Sequence, residues 1–161
     1  NAGIAVFDDP LKLSEEDWKK CFSVDLDGVW YGCQHTLPYM LDKKKGSIVN
    51  IASVHSFQII PKTFPYPVAK HGVLGLTRAL AVDYANKGIK INAISPGWTR
   101  TDLIKNMIDD ESKEKSISSR HPTGRLVEPE EIAQTILWLC TKAPRSLTGT
   151  VIPVDGGFTA K

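Results

Sequence analysis

The sequence predicts a parallel α/β sheet covered by helices, and three observations carry that prediction. Segments alternate as helix, strand, helix, strand, polar flap, helix, strand, the order that parallel sheets require. The strand segments are short, apolar and rich in β-branched residues, as in Ile48-Val49-Asn50-Ile51 and Ile89–Ile94. The helical segments between them are long and apolar around most of their circumference, as expected of helices packed on a sheet and on each other.

Taken in order, the chain opens with Asn1-Ala2-Gly3, a turn signal with no strand before it and no initiating Met. Ser14 through Asp17 resembles a capping box, with Ser14 at the N-cap. A long helical stretch follows from about Glu15 to Leu41, interrupted near Gly28, with Phe22, Val24, Val29, Trp30, Leu37 and Met40 as its apolar residues. Lys43-Lys44-Lys45 reads as its solvated end and Gly46 as its stop. Ser47–Ser53 is the first buried strand, and residues 54–65, with Pro61 and Pro65, form a loop. Tyr66 to Asn86 is the next helix, closed by Lys87-Gly88; Gly72 and Gly75 within it mark close approach of a neighbouring backbone. Ile89–Ile94 is the second strand, ended by Pro96-Gly97. Residues 98–128 are charge-rich with few apolar anchors, which suits a helical flap over a site. Glu130–Thr141, entered through Pro129, is the last long helix, and Thr150–Val154 the last strand, closed by Asp155-Gly156-Gly157.

Composition narrows the function. A hydrophobic fraction of 42% and a charged fraction of 24% are those of an ordinary globular domain, and 161 residues are enough for one core. The formal net charge of +2 argues against a nucleic-acid partner. No apolar run approaches the roughly 20 residues that span a bilayer. Cys21, Cys33 and Cys140 are odd in number and widely spaced, which points to a reducing compartment, the cytoplasm, and away from a disulfide framework or zinc. The four His residues share no metal-ligand spacing.

Ligands of parallel sheets sit beyond the carboxyl ends of the strands. Ser53 and the Pro96-Gly97 turn fall at two such ends. Tyr66 and Lys70, four apart at the start of a helix, share one face. A phenol, with an ordinary pKa near ~10, is a poor base at neutral pH. A neighbouring ammonium would lower that value, so Lys70 is expected to tune Tyr66 as an acid/base for a substrate hydroxyl or carbonyl. Ser53 would hydrogen-bond the same substrate oxygen.

These residues resemble the short-chain dehydrogenase/reductase family over the whole length of the chain, which corresponds to the family's carboxyl-terminal two-thirds. Asn1-Ala2-Gly3 is similar to the end of its Asn-Asn-Ala-Gly motif and Tyr66-Pro67-Val68-Ala69-Lys70 to its Tyr-x-x-x-Lys signature. Asn92-Ala93-Ile94-Ser95-Pro96-Gly97, Arg125 through Ala133 and Val154-Asp155-Gly156-Gly157 match later stretches. The resemblance implies one Rossmann-type doubly wound parallel sheet over residues 1–161 that lacks its N-terminal βαβ units, with a substrate lid within 98–128. It implies NAD or NADP as cofactor, with Ser53, Tyr66 and Lys70 catalytic. Asn1, Ala2, Gly3, Tyr66, Lys70, Pro96, Gly97 and Thr101 would contact the cofactor. The family commonly has an Asn in the long helix, holding a water that relays protons to the Lys. Here that residue is Asp25, expected to retain the relay.

Near the same rim, His55 and Gln58 would give polar substrate contacts, and Phe57, Phe64 and Trp98 apolar walls. The run from Ser53 to Pro61 is similar to members acting on sugars at the anomeric carbon; a 3-oxoacyl thioester reductase is the rival, and a non-catalytic binding protein or inactive fragment the alternative of another class. The glycine-rich phosphate loop precedes Asn1 in this family, so this chain alone is expected to bind the cofactor poorly. Homodimers or homotetramers through the helices at 15–41 and 66–86 would cover their surplus apolar surface.

Overall fold

The computed structural model describes residues 2–108 and 110–161. Three strands, β1 (Gly46–Ile51), β2 (Ile89–Pro96) and β3 (Val151–Val154), form one parallel sheet in the order β1-β2-β3. Gly46 pairs with Ile89 and Ile51 with Ile94, while Ala93 pairs with Val151 and Pro96 with Val154. One flank of β1 therefore lies at the sheet edge. The helices are α1 (Glu15–Phe22), α2 (Gly28–Asp42), α3 (Tyr66–Tyr84), α4 (Asp102–Lys105), α5 (Glu111–Ser118) and α6 (Pro129–Thr141).

Side chains alternate along a strand, and that alternation sorts the core into two layers. Ile89, Ile91 and Ala93 of β2 point to one face, where Cys33 and Leu37 of α2 and Val73, Leu74, Leu80 and Ala81 of α3 cover them. Ile94 points to the other face with Val49 and Ile51 of β1, against Ile132, Ile136 and Leu139 of α6. Helices thus cover both faces, the doubly wound arrangement expected from the sequence. One polar chain threads the first layer: the Cys33 thiol donates to Asn50 Oδ1 at 3.4 Å, and Asn50 Nδ2 donates to Thr77 Oγ1 at 2.9 Å.

Several expectations change in detail. The long helix is interrupted as expected, by a π-helical turn over Ser23–Asp27. The helix stops at Asp42, and Gly46 opens β1 instead of ending the helix. β1 ends at Ile51, because the Ser53 hydroxyl accepts from the His55 backbone N–H at 3.3 Å and starts a 3₁₀ turn, Val54–Ser56. β2 runs on to Pro96 because β3 supplies a partner there. Gly72 is a point of close approach, though to a side chain: a Cβ there would lie 2.8 Å from Leu26 Cδ2. Gly75 is not, since nothing stands within 4 Å of its Cβ position.

Residues 98–128 hold α4 and α5. Arg100 ties α5 to the entrance of α6, donating to Glu114 of α5 at 2.7 Å and to Glu128, just before α6, at 3.2 Å. Glu131 accepts from the Glu128 N–H at 2.8 Å and from Arg125 at 2.8 and 2.9 Å, which pulls its carboxyl down to about 2. No helix among the described residues is long and apolar enough to cross a membrane.

Candidate active site

Ser53 leaves β1 in extended conformation and caps the Val54–Ser56 turn, which fixes its hydroxyl at the carboxyl end of the sheet. Tyr66 is the first residue of α3, with Pro67 in the first turn, where a missing N–H costs no hydrogen bond. The Ser53 hydroxyl faces the Tyr66 phenol closely enough to favour its ionised form. One turn on, Lys70 is buried, with its Nζ 5.5 Å from the Tyr66 ring centroid. The three residues singled out in the sequence come together.

The surroundings of Tyr66 are aromatic. The His55 ring stands edge-on to it at 5.5 Å, and the Phe7 ring at 5.9 Å on another side. Phe7 is held there by its bridge to Pro65, next to the Asp8 N–H, which donates to Phe64 O at 2.7 Å. Burial keeps the His55 imidazole neutral, down to about 4.

Asp25 is the residue whose environment was least anticipated. The π-helical turn carries it into the interior, where it is fully buried. Its Oδ1 takes the Lys70 ammonium at 3.2 Å and lies 3.4 Å from the Ile4 N–H. Its Oδ2 faces the Cys21 thiol at 3.9 Å. Burial raises the Asp25 carboxyl, against the pull of Lys70, and pushes Cys21 up to about 11. Lys70 also donates to Ile51 O at 3.3 Å.

The Tyr66 phenol stands above its ordinary value, against the expectation that Lys70 lowers it. Burial pushes it up to about 12; the Ser53 hydroxyl opposes the rise, and Asp25 and Cys21 add to it. Lys70 is engaged by Asp25. Of its three N–H donors, two are taken by Asp25 and Ile51.

The other predicted residues fall as follows. Ala2 is exposed, and Gly3 runs beside Asp25, where a Cβ would stand 3.4 Å from its Oδ1. Asn1 lies outside the described residues. Pro96 and Gly97 sit at the end of β2, and Gly97 packs so closely on the Asp155 backbone that a Cβ would lie 2.9 Å from Asp155 Cα. Thr101 is exposed at the N-cap of α4. His55 reaches Tyr66, whereas Phe57 is exposed and Phe64 packs on Trp18 at 5.9 Å. Trp98 is half-buried beyond Gly97. Cys21 and Phe7 were missed; Cys21, four residues before Asp25 on a helical stretch, carried a readable signal, and Phe7 carried none. Among the described residues, no group of three or more His, Cys, Asp or Glu is arranged to hold a metal.

A family profile described as enoyl-(acyl carrier protein) reductase matches residues 1–159. The chain belongs to this family, the short-chain dehydrogenase/reductases. It is 40% identical to a cyclohexanol dehydrogenase of Acinetobacter sp. over its full length, which is 62% of that relative. It is 38% identical to a 3-oxoacyl-(acyl-carrier-protein) reductase of Thermotoga maritima, covering 98% of this chain and 63% of that protein. A crystal structure of a putative 2-deoxy-D-gluconate 3-dehydrogenase from Agrobacterium tumefaciens, with bound NADP, superposes with a TM-score of 0.93 at 38% identity; it covers all of this chain and 66% of the other. The chain thus spans a little under two thirds of the curated relatives it matches.

Proposed function

We propose that the protein to which this chain belongs is an NAD- or NADP-dependent oxidoreductase that interconverts an alcohol and a carbonyl. The convergence of Ser53, Tyr66 and Lys70 at the carboxyl rim of the sheet carries this reading. The nicotinamide cofactor would supply or accept the hydride. The three residues suit the rest of the chemistry. Ser53 donates a hydrogen bond to the reacting oxygen and orients it. Tyr66 gives its proton to that oxygen in reduction, or takes one from it in oxidation. Lys70 directs its remaining N–H at the cofactor's ribose, with Ala2, Gly3, Pro96, Gly97 and Thr101 along the cofactor's path. Asp25, in the position of the family's relay Asn, meets the Lys70 ammonium directly and would pass protons to it without an intervening water.

The substrate is a sugar or sugar acid in this reading. The NADP-bound neighbour named for 2-deoxy-D-gluconate supports it, as does the neutral imidazole of His55, a polar group packed on the Tyr66 ring. Residues 98–128 act as the lid, with Phe64 and Trp98 as apolar walls. The similarity to the Thermotoga reductase favours a second substrate class, a 3-oxoacyl thioester. The exposed Trp30, Tyr31 and Tyr39 of α2 and Val68 and Val82 of α3 support a homodimer or homotetramer through these helices. The buried free thiols Cys21 and Cys33 suit the cytoplasm.

The test is turnover by the full-length protein on a panel of sugars, sugar acids, cyclic alcohols and 3-oxoacyl thioesters with each cofactor. Tyr66→Phe should lower kcat by at least ~10²-fold, the lower range for a positioned acid/base. A Tyr66→Phe variant that keeps full turnover on the best substrate overturns the reading.

A further inference from the structure

We infer that the Asp25 carboxylate is a countercharge to Lys70: it draws the ammonium away from Tyr66, so the Asp25–Lys70 pair governs the base-limited pH profile of the reaction. The inference rests on the proposed role of Tyr66 as acid/base and adds a function for Asp25 that a relay does not require.

Geometry carries it. Among the described residues this is the one ion pair with both side chains buried, Lys70 at 5% and Asp25 at 0% exposure. An amide in place of the carboxylate could accept from the Ile4 N–H and from Lys70 through the same Oδ1. Replacing Asp25 by Asn therefore preserves the shape and those two contacts, and removes one negative charge from a site where charge is poorly screened.

The groups around Tyr66 make that charge decisive. On the side of α1 and the π-helical turn stand Cys21 and Asp25; from α3 comes Lys70; from the 3₁₀ turn come Ser53 and His55. The Phe7 side is apolar. Cys21, raised to about 11, stays a thiol through the working range, and His55, lowered to about 4, stays a neutral imidazole. Neighbouring His71 ties its Nδ1 to Pro67 O at 2.9 Å. Lys70 and Asp25 remain near the phenol, the Asp25 carboxyl raised by burial and held down by its contact with Lys70, and their charges oppose each other. With the pair intact the phenol meets a nearly neutral neighbour, and burial holds its proton on. With Asp25 neutralised, the full ammonium faces the phenol and favours phenolate. A cofactor ribose that engages Lys70 competes with Asp25 for the same ammonium, so cofactor binding and the base strength of Tyr66 are coupled.

The experiment compares full-length wild type, Asp25→Asn and Asp25→Glu. Two quantities are read: the pH midpoint of kcat/KM for alcohol oxidation, and the ring titration of Tyr66 by NMR on ¹³C-labelled tyrosine, assigned with Tyr66→Phe. Both midpoints should fall by about one pH unit or more in Asp25→Asn, the shift expected when one charge next to an ionising group is removed. Asp25→Glu, which keeps the charge, should stay closer to wild type. Unchanged midpoints in a folded Asp25→Asn protein overturn the inference. Should that variant fail to fold, the wild-type titration decides, and a Tyr66 ring that ionises at or below pH ~10, the ordinary value, overturns it equally. The NMR titration needs no substrate. A shifted ring titration without turnover on any alcohol supports the countercharge and sinks the oxidoreductase reading, so the two failures are told apart.

Discussion

Asn92→Ala should destabilise the full-length protein by about 3 kcal/mol, and the reason lies in two hydrogen bonds at the end of one side chain. Asn92 is fully buried in the middle of β2. Its Nδ2 donates to Leu147 O at 2.8 Å and its Oδ1 accepts from Thr150 N at 3.1 Å, which ties the entrance of β3 to β2. Truncation leaves that carbonyl and that N–H without partners. Each orphaned group costs about 1–3 kcal/mol when water is excluded. Leu147 and Thr150 are half-buried, so water recovers part of this, and the low end of the range, about 1 kcal/mol, applies to each. Loss of packing for the removed amide adds about 1 kcal/mol. The backbone tethers Ala93 N to Thr150 O at 2.9 Å and Gly149 N to Ile91 O at 2.8 Å survive, so the strand stays paired. Urea unfolding followed by tryptophan fluorescence checks the figure; with an m-value of about 1–3 kcal/mol/M the midpoint should drop by about 1–3 M. A loss under about 1 kcal/mol would refute the reasoning, because it would mean the two backbone groups are solvated or re-paired at once.

Two further outcomes follow from the same structure. His55 is neutral when folded down to about 4 but titrates near its ordinary 6.5 when unfolded. The unfolded chain therefore binds the extra proton between those values, and stability is full above pH 6.5 and falls as pH drops towards 4, by at most about 3 kcal/mol. Chemical denaturation of wild type and His55→Gln across pH 4–7 should show a shallower slope in the variant, and equal slopes would discard the assignment. Gly97→Ala should cost about 1–3 kcal/mol by overpacking, since its Cβ would meet the Asp155 backbone at 2.9 Å and His121 Nε2 at 3.0 Å; a melting temperature equal to wild type would contradict it.

Much of the site was legible because its logic is local. Strand-end Ser53 and the four-residue spacing of Tyr66 and Lys70 depend on two periodicities that a sequence displays. Gly72 was readable for the same reason, as a helix position with no local excuse for glycine. Gly75 looked identical in sequence and has open space around it, since what approaches a helix is decided by its neighbours. The sign of the Tyr66 shift was misread on similar grounds. Helical spacing puts Lys70 one turn from Tyr66, but only the tertiary fold brings Asp25 to 3.2 Å from its ammonium and engages the charge that was expected to act on the phenol. The ends of β1 and β2 moved because a hydroxyl cap and a partner strand, respectively, set them.

The π-helical turn at Ser23–Asp27 makes chain length itself a constrained quantity. Such a turn is an α-helix holding one surplus residue. Deleting a single residue there would let α1 and α2 fuse into one continuous helix whose two ends keep their phase, and the change would fall on the turn itself. The outward face of Trp30 and Tyr31 would survive, while the carboxylate beside Lys70 would lose the bulge that aims it inward. The interior chemistry depends on a single count of residues that the outer surface does not register, so a one-residue deletion here should leave the fold standing and the buried pair broken.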